Sequence, residues 1–250
     1  MHRRPLAPLF VAALLFACGK SRQGTTATDA SPAASASASS LTPEQAKLAA
    51  TCASSEPGGP LACDDLADIF AKGTGVPIDL PKAARYYGDG CDRGLGLSCR
   101  KLAGLAATGR GVPQDRARAV ALYTKACDGG LALACDDLGD LYAKGIGGPI
   151  EPEHAVPAFQ RACDLDPGLP CGHLARMYRD GQGVPRDTKK AIALFEKGCA
   201  AGSALTCDDF GDLYAKGQGV PVDRTKARAT YARACAAGFD LGCQHEKQLR

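Results

Sequence analysis

The chain lacks tryptophan altogether, and aromatic residues make up only 6% of its 250 residues. It has 13 cysteines but no Cys-x-x-Cys pair, which excludes the usual patterns of redox-active dithiols, c-type haem attachment and zinc ribbons. Its charges are close to balance, with a formal net charge of +3, and no basic patch carries interleaved aromatic residues. We therefore expect no nucleic-acid partner, no metal and no cofactor.

The longest apolar run near the N-terminus, Leu6 to Ala17, is too short to cross a bilayer as a helix. Arg3 and Arg4 precede it, and a basic start before a short apolar core is typical of a secretory signal. The run closes with Leu15-Phe16-Ala17-Cys18-Gly19, which resembles the lipobox of bacterial lipoproteins. That resemblance implies that residues 1–17 are removed and that Cys18 is lipidated. The alternative is an ordinary signal cleaved nearby, with Cys18 left spare.

The segment that follows Cys18 is poor in large apolar side chains. Of the 22 residues from Gly19 to Ser40, 15 are serine, alanine or threonine, so residues 18–40 are predicted to be a flexible tether. Gly19 in place of an aspartate after the lipobox cysteine suggests, by the same resemblance, anchoring in the outer membrane of a two-membrane bacterium. The protein would then face the periplasm or the cell surface, and the lipid anchor would be its only contact with the membrane.

Cysteine recurs with a period of 36 residues in the rest of the chain. One series contains Cys63, Cys99, Cys135, Cys171, Cys207 and Cys243, and a second contains Cys91, Cys127, Cys163, Cys199 and Cys235. Self-similarity at a fixed period is the sequence signature of a repeat array. We assign residues 41–62 to an N-terminal cap, residues 63–98, 99–134, 135–170, 171–206 and 207–242 to five repeats, and residues 243–250 to a C-terminal cap.

Each repeat reads as a pair of helices, here termed helix A and helix B. In helix A of the third repeat, Cys135, Leu138, Leu141 and Tyr142 share one helical face. A Gly-x-Gly-Val-Pro segment then predicts the end of helix A, and an acid two residues after the proline predicts the N-cap of helix B. These acids are Asp79, Asp115, Glu151, Asp187 and Asp223. A single hairpin cannot bury its apolar face alone, so the repeats are predicted to stack as an all-α solenoid.

The third repeat departs most from its neighbours, because Pro157 lies within its predicted helix B and Asp166-Pro167-Gly168 replaces the usual turn. A proline inside a helix removes a backbone hydrogen bond. Two interpretations stay open: a kink that alters the curvature of the array, or sequence drift without consequence.

A 36-residue unit with Leu-Gly-Asp-Leu-Tyr at residues 138–142, Gly-x-Gly-Val-Pro-x-Asp and a following Lys-Ala resembles the Sel-1-like repeat (SLR) family, a relative of tetratricopeptide repeats. The resemblance covers roughly residues 52–250. It implies a right-handed superhelix of helix hairpins that serves mostly as a scaffold for protein–protein contacts. The cysteine pair in every unit is similar to the secreted, cysteine-rich Hcp-type branch, whose members also bind penicillin and weakly hydrolyse β-lactams.

That branch implies that the paired cysteines form disulfides. Twelve cysteines remain once Cys18 is set aside, and five pairs share the spacing Cys-x7-Cys. The expected bonds are Cys91–Cys99, Cys127–Cys135, Cys163–Cys171, Cys199–Cys207, Cys235–Cys243 and, with a wider spacing in the cap, Cys52–Cys63. Each of the five would join the end of one helix to the start of the next.

The motif Cys-Asp-Asp-x-x-Asp opens the first, third and fifth repeats. Its acids are Asp64, Asp65, Asp68, Asp136, Asp137, Asp140, Asp208, Asp209 and Asp212. Acids in the first turns of a helix complement the helix dipole, and Asp68–Lys72 is one of three favourable i,i+4 pairs. The alternative is that the acids form a ligand-binding stripe, because related solenoids usually bind along the face of their A helices.

We assign no catalytic residue. Ser98 and Lys101 match Ser-x-x-Lys, the acylation motif of penicillin-binding enzymes, but the companion motifs Ser-Asp-Asn and Lys-Thr-Gly are missing. His154, His173 and His245 are widely spaced, and each is interpreted as a surface or capping residue.

The sequence therefore predicts a monomeric, non-catalytic scaffold of the bacterial cell envelope that binds a protein or an extended peptide. The alternative function is an Hcp-type penicillin-binding protein with β-lactamase activity, which rests on the family resemblance alone.

Overall fold

The computed structural model describes residues 41–249, so the predicted signal, Cys18 and the tether lie outside the described residues. The described part contains twelve α-helices and no strand. The helices are α1 (Pro43–Ala53), α2 (Gly59–Lys72), α3 (Leu80–Asp92), α4 (Gly96–Thr108), α5 (Arg116–Asp128), α6 (Ala132–Lys144), α7 (Pro152–Leu165), α8 (Leu169–Asp180), α9 (Thr188–Ala200), α10 (Ala204–Lys216), α11 (Arg224–Ala236) and α12 (Asp240–Gln248).

Even-numbered helices are the A helices and odd-numbered helices from α3 onward are the B helices. Each A helix from α2 to α10 packs most extensively against the B helix that follows it, whereas α12 packs against α11 and α1 packs against α2. The A helices also approach one another, as α4 does α6 and α8 does α10. The predicted all-α solenoid of helix hairpins is confirmed.

The loops between helices A and B depend on glycine. Gly73 ends α2 in the left-handed conformation, with φ at 73°, and the first loop glycine of every later repeat does the same. The second glycine permits close approach to the preceding repeat: a Cβ on Gly183 would lie 2.3 Å from the carbonyl carbon of Pro152. The loop sequence is thus required both for ending helix A and for stacking.

Four of the five predicted N-caps form as expected. Asp79 accepts a hydrogen bond from the backbone N–H of Lys82, and Asp115, Asp187 and Asp223 make the equivalent bond. Glu151 occupies the N-cap position of α7 as predicted, but its side chain makes no cap hydrogen bond, and that part of the prediction was wrong. Its longer side chain instead forms an ion pair with Arg116 of the preceding repeat.

The core is built from small and aliphatic residues, as expected for a chain poor in aromatic side chains. Leu66, Leu141, Leu174 and Leu213 are fully buried, one in each of four A helices. Glycine in helix A makes room for the aromatic ring of helix B: a Cβ on Gly211 would lie 2.5 Å from the ring of Tyr231.

Six disulfides connect the helices at the edge opposite the glycine loops, here termed the disulfide edge. They join Cys52–Cys63, Cys91–Cys99, Cys127–Cys135, Cys163–Cys171, Cys199–Cys207 and Cys235–Cys243. The paired Cα atoms are 4.5 to 4.8 Å apart. All six pairs are as expected. The five with the Cys-x7-Cys spacing each link the last turn of one hairpin to the first turns of the next, whereas Cys52–Cys63 links α1 to α2.

Pro157 does not interrupt its helix. Helix α7 runs from Pro152 to Leu165 with Pro157 inside it, and the side chain of Pro157 is exposed. None of the helices in residues 41–249 combines the length and the apolar character needed to cross a bilayer.

Candidate functional site

One side of every A helix faces away from the core. In α2, Leu61, Asp65, Asp68 and Lys72 lie within one stripe because they are spaced by three, four or seven residues. Cys63, Leu66 and Phe70 face the opposite way, into the core. We use the term A-helix face for this stripe and its equivalents in α4, α6, α8, α10 and α12.

The first acid of each Cys-Asp-Asp motif is buried and reaches forward to the next repeat. Asp64 accepts hydrogen bonds from Ser98 at 2.9 Å and from Lys101 at 2.7 Å. Asp136 and Asp208 are equally buried, and each lies within 2.9 Å of the Nδ1 atom of a histidine in the next A helix. Those histidines are His173 and His245.

The second acid of the motif reaches back to the preceding repeat. Asp137 accepts a hydrogen bond from Arg100 at 2.5 Å, and Asp209 accepts one from Arg176 at 2.9 Å. Forward and backward pairs alternate, so an ion pair or an aspartate–histidine contact bridges each of the five junctions between successive A helices from α2 to α12. We call this series the charge ladder.

Burial affects the second acids. Removal from water raises the pKa of Asp137 above its usual range, although the hydrogen bond from Arg100 opposes that shift. Burial likewise raises the pKa of Asp209, against the nearby charge of Arg176. The arginines therefore only partly compensate the cost of placing these carboxylates between repeats.

The third acid of the motif has about one quarter of its side chain exposed. Asp68 is held by Lys101 and Lys72, and the hydroxyl of Tyr87 also donates to it. Burial alone would raise its pKa, but these three hydrogen bonds outweigh burial and lower the pKa to about 2. Asp212 has the same arrangement with Lys216 and Tyr231, and its pKa is also lowered.

The structure thus places the nine predicted acids in three roles. Eight of them have a basic partner within the protein: Asp64, Asp68, Asp136, Asp137, Asp140, Asp208, Asp209 and Asp212. Asp65 is exposed. A ligand on the A-helix face would therefore meet a largely neutralised surface.

Sequence reasoning missed the basic half of the ladder. His173 and His245 are 72 residues apart, which is two repeat lengths, and Lys101 occupies the equivalent position in the second repeat. The two histidines are partly buried partners of acids, so their interpretation as surface or capping residues was wrong. The sequence did contain a signal for these acid–base pairs, because acids occur in the odd repeats and basic residues occur at equivalent positions in the even ones.

A row of leucines borders the charge ladder near the disulfide edge. It occupies one position in each repeat and contains Leu61, Leu97, Leu133, Leu169, Leu205 and Leu241. Five of the six are exposed, with exposed fractions from 37% for Leu169 to 58% for Leu61. Hydrophobic side chains repeated on one exposed face are a feature of interaction surfaces.

The Ser-x-x-Lys match does not form an accessible nucleophile. Ser98 is fully buried and donates its hydroxyl hydrogen bond to Asp64. Lys101, the other fixed residue, is bound by Asp64 and Asp68. Both residues therefore bind an acid of the charge ladder. Within residues 41–249 no cluster of three or more histidine, cysteine or acidic side chains could hold a metal ion.

Comparison with protein families identifies the repeat. The family model for the Sel1 repeat matches residues 60–95, 96–131, 132–167, 172–203 and 211–239, which is more than half of the chain. The chain belongs to the Sel1 repeat family. The first three matches begin three residues before our repeat boundaries, close to the start of each A helix.

Solved structures of Sel1 repeat proteins share the architecture. A protective antigen of uropathogenic Escherichia coli that displays an SLR fold aligns over 84% of this chain, with a TM-score of 0.70 and 26% identity. This chain spans only 44% of that antigen's length. A Sel1 repeat protein from Oxalobacter formigenes aligns over 78% of this chain and 82% of its own, with a TM-score of 0.64 and 24% identity.

A cysteine-rich protein of the predicted branch is also similar. Cysteine-rich protein B of Helicobacter pylori is 28% identical over 52% of this chain and 93% of its own length, with a TM-score of 0.42. A search of the curated proteins found no match.

Proposed function

We propose that this Sel1 repeat protein is a non-catalytic scaffold of the bacterial cell envelope that binds a protein or an extended peptide along its A-helix face. Sel1 repeat proteins generally bind proteins, and we place the binding surface of this chain on the A-helix face.

The leucine row is the observation that carries this proposal. Core packing does not account for it, because Leu61 and Leu133 are at least half exposed while neighbouring Cys63 and Cys135 are fully buried. About half of each leucine side chain remains exposed, so its burial by a partner contributes about 1 kcal/mol in area-based transfer terms. The neighbouring charge ladder is already paired, so a partner can cover it without leaving many buried charges unmatched.

The disulfides support a location outside the cytoplasm. Six disulfides, together with the bacterial SLR neighbours, indicate an extracytoplasmic protein. We further propose that Cys18 is lipidated and anchors the protein to the outer membrane through the tether of residues 18–40. Mass spectrometry of the native N-terminal fragment tests this, and an unmodified Cys18 would contradict it.

Site-specific crosslinking tests the scaffold function. A photo-crosslinking amino acid at Leu133, in the full chain in its own cells, is expected to capture a defined partner. The same group at Ala193, an exposed residue of helix B, serves as the control and is expected not to capture it. The purified partner should then bind the Leu61→Ser/Leu133→Ser/Leu205→Ser variant at least about tenfold more weakly. Equal capture from both positions, or none from Leu133, would contradict the proposal.

The β-lactamase alternative has no supporting observation in the site, since Ser98 is buried and hydrogen-bonded. We expect the purified protein to leave nitrocefin unhydrolysed above the buffer rate. Turnover that disappears on unfolding would instead favour the enzyme.

A further inference from the structure

Cations occupy the start of the B helices, where acids would be favoured. The first turns of α3, α5, α9 and α11 contain no acid. They contain instead a row of cations at one repeat position, Lys82, Arg118, Lys190 and Lys226. The positive end of the helix dipole disfavours cations there, so helix stability does not account for the row.

These cations lie along what we term the loop edge: the Gly-x-Gly-Val-Pro loops and the first turns of the B helices. The side chains of Lys190 and Lys226 are each 62% exposed. The Nζ atom of Lys190 lies 5.1 Å from the ring centroid of Tyr178, and that of Lys226 lies 5.2 Å from that of Tyr214. A cation–aromatic contact at an exposed site is weak, so it orients the ammonium group without removing it from solvent.

The acids of the loop edge are already engaged. Asp187 and Asp223 each accept a backbone hydrogen bond as N-caps, and they lie 4.0 and 3.6 Å from the ammonium groups of Lys190 and Lys226. Helix α7 is the exception, because it carries Glu153 in its first turn and His154 at the row position. The row is therefore basic in four repeats of five.

Further cations enlarge this basic surface. Arg110, Arg186, Lys189 and Arg224 are exposed on or beside the same loops. An open cleft before α9 is lined by Tyr178, by the N-cap acid Asp187 and by three cations, Arg186, Lys189 and Lys190. The three cations suit a phosphate group.

Aliphatic side chains protrude from the same edge. Ile78, Ile150 and Val222 each directly precede an N-cap position and are 65%, 66% and 60% exposed. They are the most exposed large hydrophobic residues in residues 41–249. They recur every 72 residues, in the odd repeats, whereas Gln114 and Arg186 occupy the equivalent positions in the even ones.

We propose that the loop edge binds the surface of an anionic phospholipid bilayer. The lysines and arginines contact headgroup phosphates, and Ile78, Ile150 and Val222 enter the headgroup layer, as in other interfacial proteins that combine basic and apolar side chains. The protruding aliphatic residues and the extracytoplasmic location favour a membrane over nucleic acid as the partner of the loop edge. The folded part would then have a membrane contact of its own, in addition to the proposed lipid anchor.

Vesicle sedimentation tests the proposal without the anchor. The protein used is residues 18–250 with Cys18→Ser, which keeps every helix and disulfide described above. It is expected to sediment with vesicles that contain phosphatidylglycerol and not with vesicles of phosphatidylcholine alone, and high salt should release it. Equal binding to both vesicles, or to neither, would overturn the proposal.

Matched variants test the location of the surface. Lys82→Gln/Lys190→Gln/Lys226→Gln is expected to weaken partitioning about 100-fold. Lys125→Gln/Arg161→Gln/Lys197→Gln removes the same charge from exposed residues near the other end of the B helices and should have little effect. If both triple variants lose binding equally, net charge alone is responsible and the loop edge is not the site.

The aliphatic residues are tested in the same way. Ile78→Ser/Ile150→Ser/Val222→Ser should weaken partitioning, whereas Leu61→Ser/Leu133→Ser/Leu205→Ser on the A-helix face should not. Circular dichroism confirms that each variant is folded. Tighter retention of the starting protein on duplex DNA than on anionic vesicles would identify a nucleic-acid surface and contradict the proposal.

Discussion

Asp64 is the residue that best shows how the repeats are joined. A carboxylate at this depth is costly to bury unless its oxygens are matched, and here one oxygen accepts from Ser98 and the other from Lys101. Both partners lie in α4, the next A helix. The side chain therefore stabilises a junction between repeats more than its own helix.

Asp64→Ala is expected to destabilise the protein by about 2 kcal/mol, because it leaves a fully buried hydroxyl without its acceptor and removes one partner of Lys101. Asp65→Ala changes the adjacent, exposed residue, and its free energy of unfolding should differ from that of the starting protein by no more than about 0.5 kcal/mol. Urea unfolding under oxidising conditions measures both. Similar values for the two variants would show that the junction does not depend on Asp64.

Asp68 gives the protein a defined acid dependence. Its pKa is lowered from 3.8 to about 2, so the ionised carboxylate stabilises the fold above its unfolded pKa. That contribution is lost as the pH falls from 3.8 toward 2. Tyr87→Phe removes one of its three hydrogen-bond donors and should raise the pKa of Asp68, as measured by NMR titration of its side chain.

The control for this change is Tyr123→Phe, in the next repeat, where Gly104 replaces the aspartate. It should leave the pKa of Asp68 unchanged. A pKa near the ordinary value in the unmodified protein would contradict the assigned hydrogen bonds.

Helices were the part of the structure that local sequence predicted best. Helix starts and ends depend on one side chain and a few backbone groups, so Asp79 as an N-cap and Gly73 as a helix end follow from residue type alone. Glu151 shows the limit of that reasoning. Its carboxylate accepts a hydrogen bond from Arg116, which lies 35 residues earlier in the chain. Rules based on neighbouring residues cannot predict such a distant partner.

The disulfides act at the scale of the helix pair. Each closes a short loop between hairpins, and a ring of this size stabilises by about 2–3 kcal/mol in the chain-entropy model. Cys127→Ala/Cys135→Ala should therefore lower the free energy of unfolding by about that amount and increase amide exchange at the junction of α5 and α6. Cys52→Ala/Cys63→Ala, at the end of the array, is the control, and its increase in exchange should be confined to α1 and the start of α2. No change at the α5–α6 junction in the first variant would contradict a role for that bond in coupling repeats.

At the scale of the whole described unit, two periods are superimposed. The 36-residue period of cysteine, glycine and leucine sets the fold, and it can be read from the sequence because each repeat position has one structural role. The charge ladder has a period of 72 residues, and so do Ile78, Ile150 and Val222. The acids were predicted as candidate ligands because their partners, 33 to 37 residues away, are brought close only by stacking.

Peptide mapping of the native, unreduced protein shows whether neighbouring hairpins are covalently linked in sequence order. A protease that cuts before aspartate separates Cys127 from Cys135, since Asp128 follows Cys127. These two fragments should be recovered joined, and the other five cysteine pairs should be found as described above. Recovery of Cys127 as a free thiol, or bonded to any other cysteine, would contradict it.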